Sequence, residues 1–226
     1  MHSQDLLSSY EEGDRGRRGF FKRSMMVAGG AMVGAALITS SERELHAQAP
    51  VSVGTQMKAV QRHENEHVAT IITVINSLNG TPRQSPVFKN LQTTNIPQFL
   101  GLSRALENTG VGAYLGATPA ISNPQLLSAA ASIALVEARH AGFFNSITSR
   151  PVTENAFGQE QTFDRAFTIQ EVVDAVTPYV ADLNGPPLTF SPERSVPNDI
   201  AILNFALALE YLEAAYYNIN VPRYYR

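Results

Sequence analysis

Apolar residues recur every three or four positions in four long segments of this chain, which is the spacing of one face of a helix. In the first segment they include Val60, Val68, Ile71 and Ile75. No segment alternates apolar and polar residues for long enough to predict a strand. The pattern therefore predicts an all-α class, with long helices over about residues 55–78, 98–118, 125–148 and 200–218.

Turn and cap residues place the ends of these helices. Asn79-Gly80 ends the first helix. Asn95 and Asn123 each stand one or two residues before a proline, which is typical of helix starts, and Asp199 is predicted to cap the fourth helix. Only a tight turn separates the second and third helices, so they are predicted to be antiparallel neighbours.

The stretch over residues 149–198 is an irregular connection, since prolines and glycines interrupt it repeatedly. Within it, Thr168 and Glu171 have the spacing of a capping box and predict a short helix through Val176. With 226 residues, 44% of them hydrophobic, the chain can bury one sizeable core. We therefore predict a single domain over residues 50–226.

The first 49 residues have the features of an export signal. Arg17 and Arg18 precede an uncharged run over residues 24–41, and Ala47-Gln48-Ala49 follows. This segment resembles a twin-arginine signal, with cleavage expected after Ala49. A membrane anchor is the alternative, but the run is shorter than the roughly 20 residues that span a bilayer. The resemblance implies the twin-arginine export machinery as a partner and a periplasmic location.

Charge and cysteine content narrow the possible chemistry. The net charge is -3, and no basic cluster with interleaved aromatic residues occurs outside the N-terminus, so nucleic acid is not a predicted partner. The chain has no cysteine. Any bound metal must therefore be held by nitrogen and oxygen donors.

Two Glu-x-x-His pairs, Glu64/His67 and Glu137/His140, lie in the first and third predicted helices. A spacing of three residues places both side chains on one helix face, where a carboxylate and an imidazole can bind one cation. Such a pair also occurs on solvated helix faces. After residue 49, however, the chain has only three histidines, and two of them follow a glutamate by three residues. The repeated pair therefore predicts two metal ions.

Glutamates also lie among apolar residues in the other two helices: Glu107 in the second, and Glu210 and Glu213 in the fourth. A carboxylate there is unfavourable unless it is protonated, paired or bound to metal. Four glutamates, one per helix, would be neutralised by two divalent cations. This is the donor set of di-iron and di-manganese sites in four-helix bundles, and it also accepts zinc. Because Glu210 and Glu213 share a face, either could be the fourth ligand.

The neighbours of these residues are predicted not to bind the metal. His63 and Glu66 are expected to face solvent beside the ligands on the first helix. The tyrosines of the second and fourth helices are expected to belong to the core, although a hydrogen bond to a ligand is the alternative. They are Tyr114, Tyr211, Tyr216 and Tyr217.

Strings of residues in all four helices resemble the bacterial ferritin-like domain proteins, which include the desiccation-related proteins. The strings are Glu64–Val68, Arg104–Gly116, Leu135–Ala141 and Leu203–Tyr217. The resemblance implies a ferritin-like antiparallel four-helix bundle with long crossover connections. It also implies iron or manganese as the metal, with O₂, peroxide or ferrous iron as a small substrate.

The helix that resembles Leu203–Tyr217 comes first in those relatives, whereas here it comes last. The helix order is therefore predicted to be circularly permuted, with residues 79–97 as the crossover and residues 149–198 returning the chain along the bundle. Two alternatives are a last helix that swaps onto the second subunit of a homodimer and a chain that is the remnant of a tandem pair.

The expected function is that of an exported protein whose dinuclear centre oxidises ferrous iron or dismutates peroxide. One alternative is a stress-protection or desiccation-protection protein that uses the bundle as a scaffold without turnover, because fold does not fix function. A relative of the manganese catalases, with the same ligands, is a further alternative.

Overall fold

The computed structural model describes residues 51–188, 190–191 and 193–226. The predicted export signal over residues 1–49 lies outside them. The described residues confirm the all-α class and the ferritin-like bundle. Their helices are α1 Val53–Ser77, α2 Ile96–Ala117, α3 Pro124–Ile147, the short α4 Ile169–Val176 and α5 Val196–Tyr224.

Side-chain caps fix the starts of the helices. Asn95 Oδ1 accepts a hydrogen bond from Gln98 N at 2.9 Å, and Asn123 caps α3 in the same way. Thr168 and Glu171 form a capping box at the start of α4. These polar caps satisfy N–H groups that would otherwise lack partners in the first helical turn.

The last helix, α5, differs from its prediction at both ends. Ser195 caps it rather than Asp199, because a proline follows Ser195 at the second helical position. The predicted cap at Asp199 is therefore wrong, and its carboxylate instead accepts hydrogen bonds from N and Oγ of Ser122, at 2.8 and 2.6 Å. At its other end α5 continues beyond the predicted limit to Tyr224, because Val221 is still buried in the core.

Contacts along the helices define their directions. α5 is antiparallel to α1, since Asn218 hydrogen-bonds Asn65 at 3.0 Å while Ile200 packs against Gly80 after the far end of α1. α5 is also antiparallel to α2, and α2 is antiparallel to α3 across a tight turn. Consequently α1 and α2 are parallel to each other, as are α3 and α5.

Each parallel pair needs a connection that returns along the length of the bundle. Residues 78–95 join α1 to α2, and residues 148–195 join α3 to α5. The two connections meet in a short antiparallel ribbon of β1 Val87–Phe88 and β2 Val180–Asp182. Strands of two and three residues are too short to show a periodic pattern in the sequence.

Glycines on α2 let the second connection lie close to that helix. Phe167 N donates a hydrogen bond to Gly112 O at 2.9 Å. A Cβ at Gly116 would lie 2.1 Å from Phe167 O, so only glycine fits beneath it. The connection is thereby held against the bundle.

The apolar core has two parts, one on each side of a layer of buried glutamates and histidines. One part is built around Phe99, Phe144 and Tyr216, and the other around Ile75 and Leu207. By length and composition α5 could cross a membrane, but its glutamates are buried among the other helices, as in the central helix of a bundle. The fold therefore holds ionisable groups where water is largely excluded.

Candidate metal centre

The four long helices bring six glutamate and histidine side chains together in the buried layer. Their donor atoms form two groups of four, with the atoms of each group within 4.8 Å of one another. The His67 half-site consists of Glu64, His67, Glu137 and Glu210. The His140 half-site consists of Glu64, Glu107, Glu137 and His140. Glu64 and Glu137 belong to both groups, so the two half-sites adjoin each other at these shared carboxylates.

Both histidines point Nδ1 towards the carboxylates. His67 Nδ1 lies 3.0 Å from Glu64 Oε2 and 3.2 Å from Glu210 Oε2. His140 Nδ1 lies 3.0 Å from Glu107 Oε2 and 3.1 Å from Glu64 Oε1. Nδ1 is therefore the nitrogen that each imidazole offers to a cation.

Three carboxylate oxygens of the layer accept no hydrogen bond from the described residues: Glu64 Oε1 and both oxygens of Glu137. The nearest imidazole nitrogens lack hydrogen-bond geometry towards them. Both glutamates are 0% exposed, where an ionised carboxylate is unfavourable without a partner. Gly110 leaves room for the Glu137 carboxylate, because a Cβ at residue 110 would lie 2.8 Å from Glu137 Oε2. A divalent cation would supply the missing partner.

Tyrosine hydroxyls hold the two glutamates that the half-sites do not share. Tyr114 donates a hydrogen bond to Glu210, and Tyr217 donates one to Glu107. Each tyrosine follows the glutamate of its own helix by seven residues, which is about two turns, so both lie on the same helix face. The prediction of a core role is incomplete for these tyrosines. The repeated Glu-to-Tyr spacing is the sequence signal that reveals their second role.

Burial opposes ionisation of most carboxyl groups in the layer. It raises the pKa of Glu137 and Glu213 well above the ordinary value, and neighbouring carboxylates raise it further. Burial also raises the pKa of Glu107, and it raises the pKa of Glu210 to about 7. Protons therefore occupy part of the layer at neutral pH when no cation is bound.

Glu64 and the two histidines form the charged part of the layer. Burial alone would raise the pKa of Glu64, but the nearby imidazoles of His140 and His67 lower it to about 2. Burial alone would lower the pKa of His140, but the Glu107 carboxylate raises it to about 11. The carboxylates of Glu137, Glu210 and Glu64, each within 3.2 Å of Nδ1, likewise overcome burial and raise the pKa of His67. A cation that binds at Nδ1 must displace these protons.

Glu213, the predicted alternative to Glu210, belongs to neither four-donor group. Only 4% of it is exposed, and it lies in a small crevice beside Thr109 and Gly110. Its raised pKa favours the neutral carboxylic acid, which needs no cation to balance it. The geometry therefore favours Glu210 as the donor from α5.

His63 differs from the prediction of a solvent-facing neighbour. It is half-buried, and its Nδ1 lies 3.0 Å from His140 Nε2. Glu66 does face solvent, where it pairs with Arg62 at 3.6 Å. Periodicity along α1 could not reveal the His63 contact, because that contact depends on how α3 packs against α1.

A family model for the ferritin-like domain matches residues 20–150, which is more than half of the chain. The chain belongs to the ferritin-like domain family. The match begins inside the predicted export signal and ends just after α3, so the α5 helix of this ferritin-like chain lies beyond it. Searches of the curated proteins and of the solved structures found no match.

The donors of this ferritin-like chain fit a pair of divalent cations. Each half-site offers three carboxylates and one imidazole, which iron, manganese and zinc all accept. Two divalent cations would balance the charges of the four glutamates in the half-sites. They would also provide partners for the buried oxygens that lack hydrogen bonds.

Proposed function

We propose that this chain is an exported protein whose bundle holds two iron or manganese ions and reacts with O₂ or peroxide in the handling of iron or oxidative stress. The observation that carries the proposal is the pair of half-sites, which share Glu64 and Glu137; three of the four buried oxygens of these glutamates lack hydrogen-bond partners among the described residues. Burying these carboxyl groups together is unfavourable for folding, so a metal function explains an arrangement that stability alone does not.

Each residue of the layer has a distinct task in this proposal. Glu64 and Glu137 would contribute carboxylates to both half-sites, while His67 and His140 would each offer Nδ1 to one of them. The two unshared glutamates, held by tyrosine hydroxyls, complete one half-site each. The apolar layers on either side limit the access of water. When bound, iron or manganese would supply the electron transfer to O₂ or peroxide.

We also propose that the chain leaves the cytoplasm through the twin-arginine machinery and that its helix order is permuted. That machinery carries folded proteins, which suits a protein that receives its metal before export.

The two parallel helix pairs, with a long connection for each, are the arrangement that a permuted bundle requires. A permuted monomer would have α5 packed on α1 of its own chain, as the hydrogen bond between Asn218 and Asn65 shows here.

Elemental analysis of the natively exported protein tests the metal centre. We expect about two equivalents of iron or manganese per chain in the wild type. Glu137→Ala should lose both, because Glu137 belongs to both half-sites. Glu66→Ala is the matched control, since it removes an exposed glutamate from α1 and should keep both ions. A wild type without stoichiometric metal, or a Glu137→Ala variant that keeps it all, would overturn the dinuclear site.

Stopped-flow mixing of the reduced, metal-loaded protein with O₂ or peroxide tests reactivity. A spectral change that Glu66→Ala preserves and Glu137→Ala abolishes supports the proposal. Oxygen release from peroxide would point to catalase-like chemistry. A protein that holds zinc, or that shows no spectral change within minutes, would instead be a scaffold without turnover.

Export is tested separately from the metal site. Replacing both Arg17 and Arg18 with lysine should keep the protein in the cytoplasm, because the arginine pair is the distinctive part of the signal. Cell fractionation followed by immunoblotting measures the distribution. Unchanged export of the double variant would show that this route is not used.

A further inference from the structure

The two histidines of the centre differ on the side that faces away from the carboxylates. His140 Nε2 lies 3.0 Å from His63 Nδ1. His67, by contrast, hydrogen-bonds through Nδ1 only, and its Nε2 makes no hydrogen bond with the described residues. The inner contacts of the two histidines are similar, so this outer contact is the main asymmetry between them.

The geometry between His63 and His140 is that of a well-formed hydrogen bond. Their ring planes are 4° apart and their centroids are 5.2 Å apart. Rings stacked face to face with two nitrogens 3.0 Å apart would have centroids much closer together than 5.2 Å, so the rings lie nearly in one plane and meet edge to edge. This arrangement limits both the tilt and the rotation of the His140 imidazole.

We propose that His63 is a positioning residue of the dinuclear site: it holds the His140 ring so that Nδ1 faces Glu107 and Glu64, which makes the His140 half-site the tighter of the two. This inference rests on the proposed metal function. The proton placement is consistent with it. An imidazole that binds metal through Nδ1 carries its proton on Nε2, and Nδ1 of His63 accepts the hydrogen bond from that N–H.

The surroundings of His63 are compatible with this role. If Nδ1 of His63 accepts from His140, its own proton is on Nε2, at the solvent side. The guanidinium of Arg62, 3.3 Å from that Nε2, can only donate, so it is expected to turn towards Glu66, with which it already pairs. No buried group has to move for His63 to act as the acceptor.

The size of the effect follows from known outer contacts of metal sites. Hydrogen-bond partners of metal-bound histidines change metal affinity by about 10- to 100-fold. We therefore expect the first equivalent of cation to enter the His140 half-site and the second to enter the His67 half-site. Loss of the His63 acceptor should remove most of that difference.

Titration of the metal-free protein with Co²⁺, followed by calorimetry and the visible spectrum, tests the proposal. His63→Phe keeps a planar ring but loses the acceptor, and it should weaken one of two binding steps by about 10- to 100-fold while leaving the other unchanged. His63→Gln, whose Oε1 can accept the same hydrogen bond, should restore most of the affinity. Glu66→Ala, on the same helix but exposed, is the control and should match the wild type.

Nitrogen-15 NMR of the zinc-loaded protein supplies a readout that a general loss of packing would not change selectively. In the wild type and in His63→Gln, the Nε2–H of His140 should be visible and slow to exchange, whereas in His63→Phe it should exchange rapidly. Equal weakening of both steps, or no weakening of either, would overturn the positioning role. If the wild type itself binds no Co²⁺, the proposed metal function fails instead, so the two failures are distinguishable.

Discussion

The His67 half-site and the His140 half-site are built on one plan and differ in their surroundings. Each combines the shared Glu64 and Glu137 with one histidine and with one glutamate that a tyrosine hydroxyl holds. Only the histidine of the His140 half-site has a hydrogen-bonded outer partner among the described residues. Helix periodicity therefore sets which donor side chains converge, while individual neighbours from other helices set which of these side chains have further hydrogen bonds.

The helices that supply the unshared glutamates differ in a second way. Three residues after its glutamate, α2 has Gly110, whereas α5 has Glu213. The glycine lets the shared Glu137 approach α2, and Glu213 adds a fifth buried carboxyl group. Because Glu213 has a raised pKa, it can remain neutral while the other four carry the charge that two cations would balance in the proposed centre. The same helix position thus gives space in one half and a proton-bearing group in the other.

Among the substitutions that test this difference between the half-sites, Gly110→Ala should change the metal affinity most. The new Cβ would lie 2.8 Å from Glu137 Oε2 and displace a carboxylate that both half-sites use. Metal affinity at both should fall by more than about 100-fold, because even outer contacts are worth about 10- to 100-fold. Calorimetric titration with Mn²⁺ measures this. Gly101→Ala on the same helix, where a Cβ meets nothing within 4 Å, is the control and should bind normally.

Removing a glutamate that belongs to only one half-site should abolish metal binding at that half-site and leave the other able to bind. Glu210→Ala should leave about one ion per chain, held by the His140 half-site, and Glu107→Ala should leave about one, held by the His67 half-site. Elemental analysis after dialysis gives the stoichiometry. The idea of two half-sites would be wrong if either variant lost both ions or kept both.

The metal affinity should depend on pH in a defined direction. The pKa of Glu210 is raised to about 7, so below that pH a cation at the His67 half-site must displace a proton from this carboxyl group as well as from His67. Affinity should therefore increase as the pH rises from 5.5 to 8, by up to about tenfold per unit for each proton displaced. Titrations in buffers of different ionisation enthalpy count the released protons. An affinity independent of pH would contradict the raised pKa.

The smallest effect is expected from the tyrosines. Tyr114→Phe should weaken the His67 half-site, and Tyr217→Phe the His140 half-site, each by about tenfold, because each removes one hydrogen bond to a ligand. Two-step titrations of each variant measure this. Tyr211→Phe is the control, since that tyrosine is only partly buried beside the core. If both tyrosine variants weakened the same half-site, the pairing of Tyr114 with Glu210 and of Tyr217 with Glu107 would be wrong.

The sequence was sufficient wherever one helix determines the outcome. The all-α class and the convergence of Glu with His three residues later depend on periodicity, and the six side chains that the fold brings together are all among the predicted candidates. The sequence was insufficient where two elements meet. The contact of His63 with His140, the separation of Glu210 from Glu213, and the short ribbon all depend on packing between elements that are distant along the chain.

The sequence also predicted a wrong helix cap where two residues near the start of one helix could both act as caps. Asp199 and Ser195 both have side chains that cap helices, and the proline after Ser195 decided in its favour. Asp199 was then free to bind the backbone and hydroxyl of Ser122, at the turn between α2 and α3. A buried carboxylate near a helix start can thus hold a neighbouring turn instead of its own helix.

The antiparallel packing of α1 and α5 places Gly54 next to Tyr225: a Cβ on Gly54 would lie 3.5 Å from a ring carbon of Tyr225. A short linker could therefore join these two points without disturbing the bundle. The chain could then be opened within the long connection between α3 and α5, where polypeptide breaks are better tolerated than in a helix. Such a rewired protein would begin with α5 and would leave every donor side chain of the half-sites in place, so the route of the chain and the chemistry of its interior are separable properties.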